Sequence, residues 1–423
     1  MVSRRVVWDS KNPMDGTRGK EAASKTYYRG THRMVSPEQT IGRIQPLLST
    51  FGVTRVANLT GLDRSGIPVV MVCRPNARSS AVFHGKGVEI AAAKASGLME
   101  AIETWHAEHV RLPMRFGSFS ELRESLDVTE VDQLPRASAA RFYPELPMLW
   151  VEGRDLIGGR ALWLPFECVH MNATVPEPPG SGCFESSTNG LASGNHFLEA
   201  ASHALCEVIE RDATSLWHAQ AGAKQDEARL DLSTISDELC CDILERLAQA
   251  DLDVAVWDIT TDIRVPAFQC LLMDRTGEIG HLGQGAGCHP TREVALLRAL
   301  TEAAQVRTTY IVGSREDIER ADYLPTTLDA RAQGARAMMR PVQRMRDFRT
   351  IGHFAFEDFE TEVAWIVDRL TLAGIRQTIV VDLAHPGLDV AVVRAVIPGL
   401  EGSDHHTSYV PGSRAKAIAE QRR

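Results

Sequence analysis

Three stretches, Ser96-Gly-Leu-Met-Glu100-Ala-Ile-Glu103, His203-Ala-Leu-Cys-Glu207-Val-Ile-Glu210 and Arg298-Ala-Leu-Thr-Glu302-Ala-Ala-Gln305, repeat one pattern. Aligned on the first glutamate, a small residue stands three positions before it (Gly97, Ala204, Ala299) and a leucine two before it (Leu98, Leu205, Leu300). A second carboxylate or amide follows three after it: Glu103, Glu210 or Gln305. Residues three apart on a helix share a face, so each stretch presents an acidic edge above a small, apolar underside. Unpaired charge beside Leu, Ile and Ala is expensive. Five carboxylates and an amide meeting in one cavity require cations, and Mg²⁺ bridging phosphates is the candidate. A single E-x-x-E on a helix is ordinarily a solvated face. Three copies in register favour a shared site.

A glycine-bearing segment precedes each acidic helix: His84-Gly-Lys-Gly87, Thr188-Asn-Gly-Leu-Ala-Ser-Gly-Asn195 and Gly283-Gln-Gly-Ala-Gly287. Glycine lets a backbone approach a ligand, and a helix N-terminus favours anions. Lys86 adds a point charge directed at a phosphate. None of the three matches G-x-x-x-x-G-K-[ST] or G-x-G-x-x-G. A nucleotide bound here is therefore held by scattered carboxylates, metal ions and glycine turns. Arg211 and Arg307, beside the second and third acidic stretches, read either as salt-bridge partners of the helices or as phosphate ligands. Ser96, one turn before Glu100, reads as a metal or phosphate ligand or as a hydroxyl bonded to its own backbone. Asp404-His405-His406 reads as a solvated patch in a polar tail.

Around these stretches the pattern predicts a helix after Ser36-Pro37-Glu38, a buried strand within 66–73 and a hairpin over 147–170 turning at Gly158-Gly159. The acidic helices themselves are expected over 88–110, 196–218 and 290–311. A Gly- and Pro-rich loop covers 176–182, and a helix at 236–250 leads into strands at 253–259 and 265–274. A helix at 361–373 and strands at 378–382 and 390–396 close the ordered part. No linker divides the chain. The fold class is α/β, a single large domain of mixed sheets flanked by helices, without a P-loop or Rossmann motif. The 423 residues carry a formal charge of −9, which argues against a general nucleic-acid or anionic-membrane binder. No apolar run approaches the ~20 residues of a membrane span, and the N-terminus lacks a secretory signal. Eight cysteines without a C-x-x-C pair suggest reduced thiols and a cytoplasmic setting.

The spaced motifs resemble the YcaO family. The match runs through Gly85-Lys-Gly87 with Ser96, Glu100 and Glu103; Thr188-Asn-Gly190 with Glu207-Val-Ile-Glu-Arg211; Glu302-Ala-Ala-Gln-Val-Arg307; and Val396-Ile-Pro-Gly-Leu-Glu401. It spans residues 50–412 as the catalytic domain, leaving an arm and first helix at 1–49 and a mobile polar tail at 413–423. The resemblance implies ATP and Mg²⁺ as cofactors. Glu100, Glu103, Glu207, Glu210 and Glu302 would hold the metal ions. Lys86, Ser96, Asn189, Gln305 and Arg307 would contact the nucleotide, and Arg211 would position phosphate or metal ligands. Glu100, Glu207 and Arg211 form the implied catalytic set. Thr104 stands where the family often has Arg, which removes a supporting ion pair.

The same resemblance implies phosphorylation of a backbone amide oxygen in a peptide or protein substrate. A neighbouring Cys, Ser or Thr side chain as nucleophile gives an azoline, the cyclodehydratase outcome; external sulfide gives a thioamide. The ending Lys416-Ala-Ile-Ala-Glu-Gln-Arg-Arg423 lacks the Pro-rich tail frequent in azoline-forming relatives. Stand-alone chains of this kind resemble members that work with a TfuA-like, sulfur-delivering partner, so thioamidation is favoured. A homodimer is also implied. The remaining reading is a non-catalytic ATP-binding accessory or scaffold protein, against which the intact acidic pairs speak.

Overall fold

A computed structural model describes residues 23–137, 142–220, 222–275, 281–402 and 409–420. Residues 1–22 of the arm and the Asp404-His405-His406 patch lie outside the described residues. Helix α1 (Pro37–Ile44) starts where the sequence predicts: Ser36 and Gln39 form a reciprocal capping box, with Pro37 in the first turn. Strands β1 (Arg55–Asn58), β2 (Val69–Cys73) and β3 (Val82–Lys86) follow, and β3 feeds α2 (Ile90–Glu108). Next come β4 (Met114–Gly117), α3 (Phe119–Leu122), and the expected hairpin of β5 (Met148–Asp155) and β6 (Ala161–Pro165). Strand β7 (Leu191–Gly194) feeds α4 (Phe197–Ala219), which is followed by α5 (Gly222–Glu227), β8 (Leu230–Asp231) and α6 (Glu238–Gln249). Strands β9 (Leu252–Asp258), β10 (Ala267–Asp274) and β11 (Gly283–Cys288) lead into α7 (Arg292–Val312). The remainder is α8 (Pro325–Met338), β12 (Arg346–Asp347), α9 (Phe359–Leu372), β13 (Ile379–Asp382), β14 (Ala391–Val396) and α10 (Ser413–Glu420).

Three sheets carry the three acidic helices. Strands β1-β2-β3 and β9-β10-β11 each form an antiparallel meander, and β4-β5-β13-β14-β7 with β6 form a larger sheet. Helix α2 lies on β2 and β3, α4 on β14 and β7, and α7 on β10 and β11. Each also reaches the strand that feeds the next acidic helix: α2 touches β7, α4 touches β11 and α7 touches β3. The three units thus close into a ring. Their undersides are the apolar positions of the repeated pattern, with Leu98, Leu205 and Leu300 all fully buried. Each acidic helix has its own core, around Trp150 and Leu162 (α2), Trp217 and Trp257 (α4), and Ile243 and Phe268 (α7).

Two of the glycine segments differ from their reading as ligand-cradling turns. Gly85 lies within β3, and Gly283, Gly285 and Gly287 line one face of β11 at the two-residue strand period. A Cβ at Gly85 would collide with the backbone of Ala93 and Gly97, and one at Gly287 with that of Ala295 and Ala299. These glycines let a strand lie directly on a helix. Gly97 and Ala299 are small because the strand crosses the helix there. Gly287→Ala is expected to destabilise the protein by about 3 kcal/mol or more, since only rigid backbone is available to move; urea unfolding measures it, and an unchanged midpoint would refute the packing account. Thr188-Asn-Gly190 does remain a turn, with Gly190 in the left-handed region at φ 76°.

The described part of the tail departs from the expectation of a mobile segment. Ser413–Glu420 forms helix α10 against α4, where Arg414 bonds Asp212 at 3.0 Å and Asp262 at 2.5 Å while Ala415 is buried. The arm is irregular from residue 23 to 35 and buries Ala23 and Lys25. Lys25 pairs with Glu362 at 2.5 Å, and both side chains are fully buried. No helix among the described residues is long and apolar enough to cross a membrane.

Candidate active site

The ring directs the acidic edges of α2, α4 and α7 towards one space. Glu100 lies in the field of Glu207 and Glu302, Glu103 in that of Glu100 and Glu207, and Glu210 in that of Glu302 and Glu207. Burial, with this mutual repulsion, pushes Glu100 up to about 7, Glu103 to about 8 and Glu210 to about 7. Burial also raises Glu207, against the opposing charges of Arg211 and Arg394. Burial acts on Glu302 in the same direction, but Lys86 at 2.5 Å and Arg211 outweigh it and leave its pKa lowered. Two of the carboxylates are aimed by the neighbouring loop and strand. Glu103 accepts the Ser193 N–H at 2.9 Å and hydroxyl at 2.7 Å, and Glu207 accepts the Gly190 N–H at 3.3 Å.

Such a repelling, half-dry set of hard oxygens fits Mg²⁺ and polyphosphate. Among the described residues no three of these carboxylates approach within 4.8 Å of one another. Each ion would therefore take one or two carboxylates and complete its shell from phosphate and water, the ordinary pattern for Mg²⁺. A tighter group, His32, His289 and Glu362, does meet that distance. It is not built as a metal site. Both Glu362 oxygens are taken, by Lys25 and by Ser202 at 2.6 Å. Nδ1 of His289 accepts the Thr291 N–H, so the neutral ring carries its proton on Nε2, the atom facing Glu362.

The remaining expected residues divide. Lys86 and the half-buried Arg211 belong to the acid cluster, the latter acting electrostatically on Glu207, Glu210 and Glu302. Ser96 stands half-buried one turn before Glu100. Asn189 has a buried side-chain oxygen without a partner, as a residue awaiting a ligand would. Gln305 donates to the His84 carbonyl at 2.9 Å and so ties α7 to β3. Arg307 departs from its expected nucleotide contact. Its guanidinium bonds Asp63 at 2.9 Å, Asp274 at 3.2 Å and the His281 carbonyl at 2.7 Å, which makes it a buried brace between β10 and the turn before β2.

Three cations near the site carried no sequence signal. Arg33, in the arm, lies 3.8 Å from Glu199 and in the field of Glu103. Arg315 follows the Gly313 cap of α7, pairs with Asp317 and lies in the field of Glu100. Arg394 on β14 donates to the carbonyls of Cys168 and Ser187 and faces Glu207. All three are remote in sequence from the glutamates they approach, and no spacing rule connects them.

The raised carboxylates give a pH signature. An acid whose pKa is raised by folding keeps protons that the unfolded chain releases, so its contribution to stability falls as pH climbs from the unfolded to the folded value. Below 6.5 this is offset by His32, His84, His106 and His170, which burial pushes down to about 4 and which lose stability on acidification. Between 6.5 and 8 the glutamates act alone. In chelator, the melting temperature should fall across that window, and Mg²⁺ with ATP should remove the slope. A flat profile in chelator would mean that the carboxylates are solvated and independent.

Comparison with known proteins agrees with this geometry. Residues 84–401 match the family model described as YcaO cyclodehydratase, ATP- and Mg²⁺-binding. An uncharacterized protein in the tfuA 3′ region of Rhizobium leguminosarum bv. trifolii is 38% identical over 376 residues, 87% of this chain and 88% of that one. An uncharacterized protein of Methanothermobacter thermautotrophicus is 34% identical over 386 residues, 87% of this chain and 94% of its own. The structure of YcaO from Methanopyrus kandleri bound with AMPPCP and Mg²⁺ superposes with a TM-score of 0.72 at 23% identity, over 92% of this chain and 98% of that one. A heterocyclase in complex with substrate and cofactor superposes with a TM-score of 0.73 at 22% identity over 91% of this chain, which spans 54% of the heterocyclase. These two likenesses concern the fold.

Proposed function

The chain belongs to the YcaO family, whose cofactors are ATP and Mg²⁺, and on that footing we propose that it phosphorylates a backbone amide oxygen of a peptide or protein and converts the amide to a thioamide. The observation that carries the reading is the set of five glutamates turned towards one another from three helices, with Lys86 and Arg211 among them. An amide carbonyl is a poor electrophile with a poor leaving group, and phosphorylating its oxygen corrects the second defect. Bound Mg²⁺ supplies charge neutralisation on the transferring phosphoryl group. Glu302, already ionised beside Lys86, offers a ready anionic ligand. Glu100, Glu103 and Glu210, whose pKa values are raised to about 7 to 8, would give up their protons as cations enter. Ser193 and the Gly190 N–H fix the directions of Glu103 and Glu207, so the site is set before the reactants arrive. Ser96, Asn189 and Gln305 take the nucleotide side, and Arg211 faces the phosphates.

Similarity to the tfuA-region protein supports an external sulfur donor delivered by a TfuA-like partner. A homodimer in the cytoplasm completes the proposal. The second reading, azoline formation by cyclodehydration, is favoured by the family model's own description. Mass spectrometry of a co-expressed substrate peptide separates the two: sulfur-for-oxygen exchange adds about 16 Da and ring closure removes about 18 Da, both being changes of covalent structure. We expect the gain. ATP hydrolysis with no mass change would instead leave an accessory role.

A further inference from the structure

We propose that the substrate peptide binds as an added strand on the unpaired edge of β11 at Gln284 and buries one apolar side chain in a cavity beneath α8. The inference rests on the peptide-substrate reading above and deepens it. The cavity has a volume of about 330 Å³ and is walled by Leu271, Leu282, Val306, Tyr310, Leu328 and Met338. That size and lining suit a small organic group. It adjoins the acidic site: Val306 and Tyr310 stand one and two turns beyond Glu302 on the same face of α7. Apolar side chains make most of the wall, and His281, Gln284 and Arg331 supply its polar part. A Leu, Met or Phe side chain would lose nothing there.

The strand edge supplies what the cavity lacks. Among the described residues β11 pairs with β10 alone, leaving its other edge without a strand partner. The His289 N–H bonds the Pro266 carbonyl opposite it in this ladder, so by alternation the polar groups of Ala286 point away from β10. Gln284 lies two residues earlier in the same ladder, and its N–H and C=O therefore point the same way. Its side chain is exposed. An extended peptide paired there satisfies its own main chain, the usual basis of strand-addition binding. Two residues along a strand span about 7 Å, so the next amides of that peptide pass beside Glu302. A substrate whose reacting group is the backbone itself has to be held by its backbone, and this edge does so within reach of the phosphates.

The test uses the full chain, immobilised with Mg²⁺ and AMPPCP, and a randomised pool of acetylated, amidated nonapeptides read by mass spectrometry. The wild type should enrich Leu, Ile, Met or Phe at one position by about tenfold, the factor that burying such a side chain supplies. Gly334, at the flank of the cavity stripe on α8, has open space where a Cβ would stand. Gly334→Phe should fill the cavity and abolish the enrichment, and Gly334→Ala should keep it. Gln284→Pro removes only the outward N–H, which an edge strand tolerates, and should lower capture of the whole pool. No enriched position, a preference for charged residues, or unchanged binding in Gly334→Phe or Gln284→Pro would overturn the proposal. Peptide-free hydrolysis of MgATP is followed in parallel on every variant. Its absence in the wild type would count against the enzymatic reading alone.

Discussion

Glu207→Gln should lower MgATP-dependent turnover by about 10³-fold, the scale of removing one preorganised electrostatic contact to a transferring group, while the chain still folds. Glu207 stands in the middle of the cluster, in the field of Glu100, Glu103, Glu210 and Glu302, and its direction is set by the Gly190 N–H. The amide keeps the shape and loses the charge. Its second consequence runs the opposite way. Removing one member of a repelling, desolvated set relieves the others, so the variant in chelator should melt above the wild type at pH 8. Loss of turnover together with a gain in chelator stability is the signature of a cation site. A variant that is less stable and still active would dissolve the assignment.

Lys25→Met should destabilise the protein by about 3–5 kcal/mol, the cost of leaving a buried charge uncompensated. The ammonium lies 2.5 Å from Glu362, both side chains are wholly excluded from solvent, and Ser202 holds the other carboxylate oxygen. Methionine preserves the bulk of the stem and nothing of the charge. Adding Glu362→Leu should restore most of the loss, because replacing both members of a buried pair is far less harmful than removing one. Denaturant titration of the two single variants and the double decides it. Additive losses would show that the pair is not one unit.

Much of the site could be read from the chain because its logic is local. The helical period places Glu100 with Glu103, and Glu207 with Glu210, on one edge, and the structure brings these edges together. The helices bearing them begin and end within two residues of expectation. Strands β3 and β11 escaped notice because glycine reads as a turn former, whereas here its value is the absent side chain that lets α2 and α7 lie flat on the sheet. Arg307 was ambiguous in the sequence. Its partners Asp63 and Asp274 lie 244 and 33 residues away, and only the fold assembles them. Lys25 gave no hint for the same reason: a lysine in a polar arm looks solvated until Glu362, 337 residues on, is brought against it. Helix α10 was hidden likewise, since its anchor Asp212 sits inside α4.

Because every acidic helix leans on the strand that introduces its neighbour, the chain contains no self-sufficient third. A fragment carrying any two helices would present an interrupted circle, with one helix unsupported and the carboxylates splayed. Assembly of the carboxylate cluster then depends on all three helices being packed on their neighbours at once.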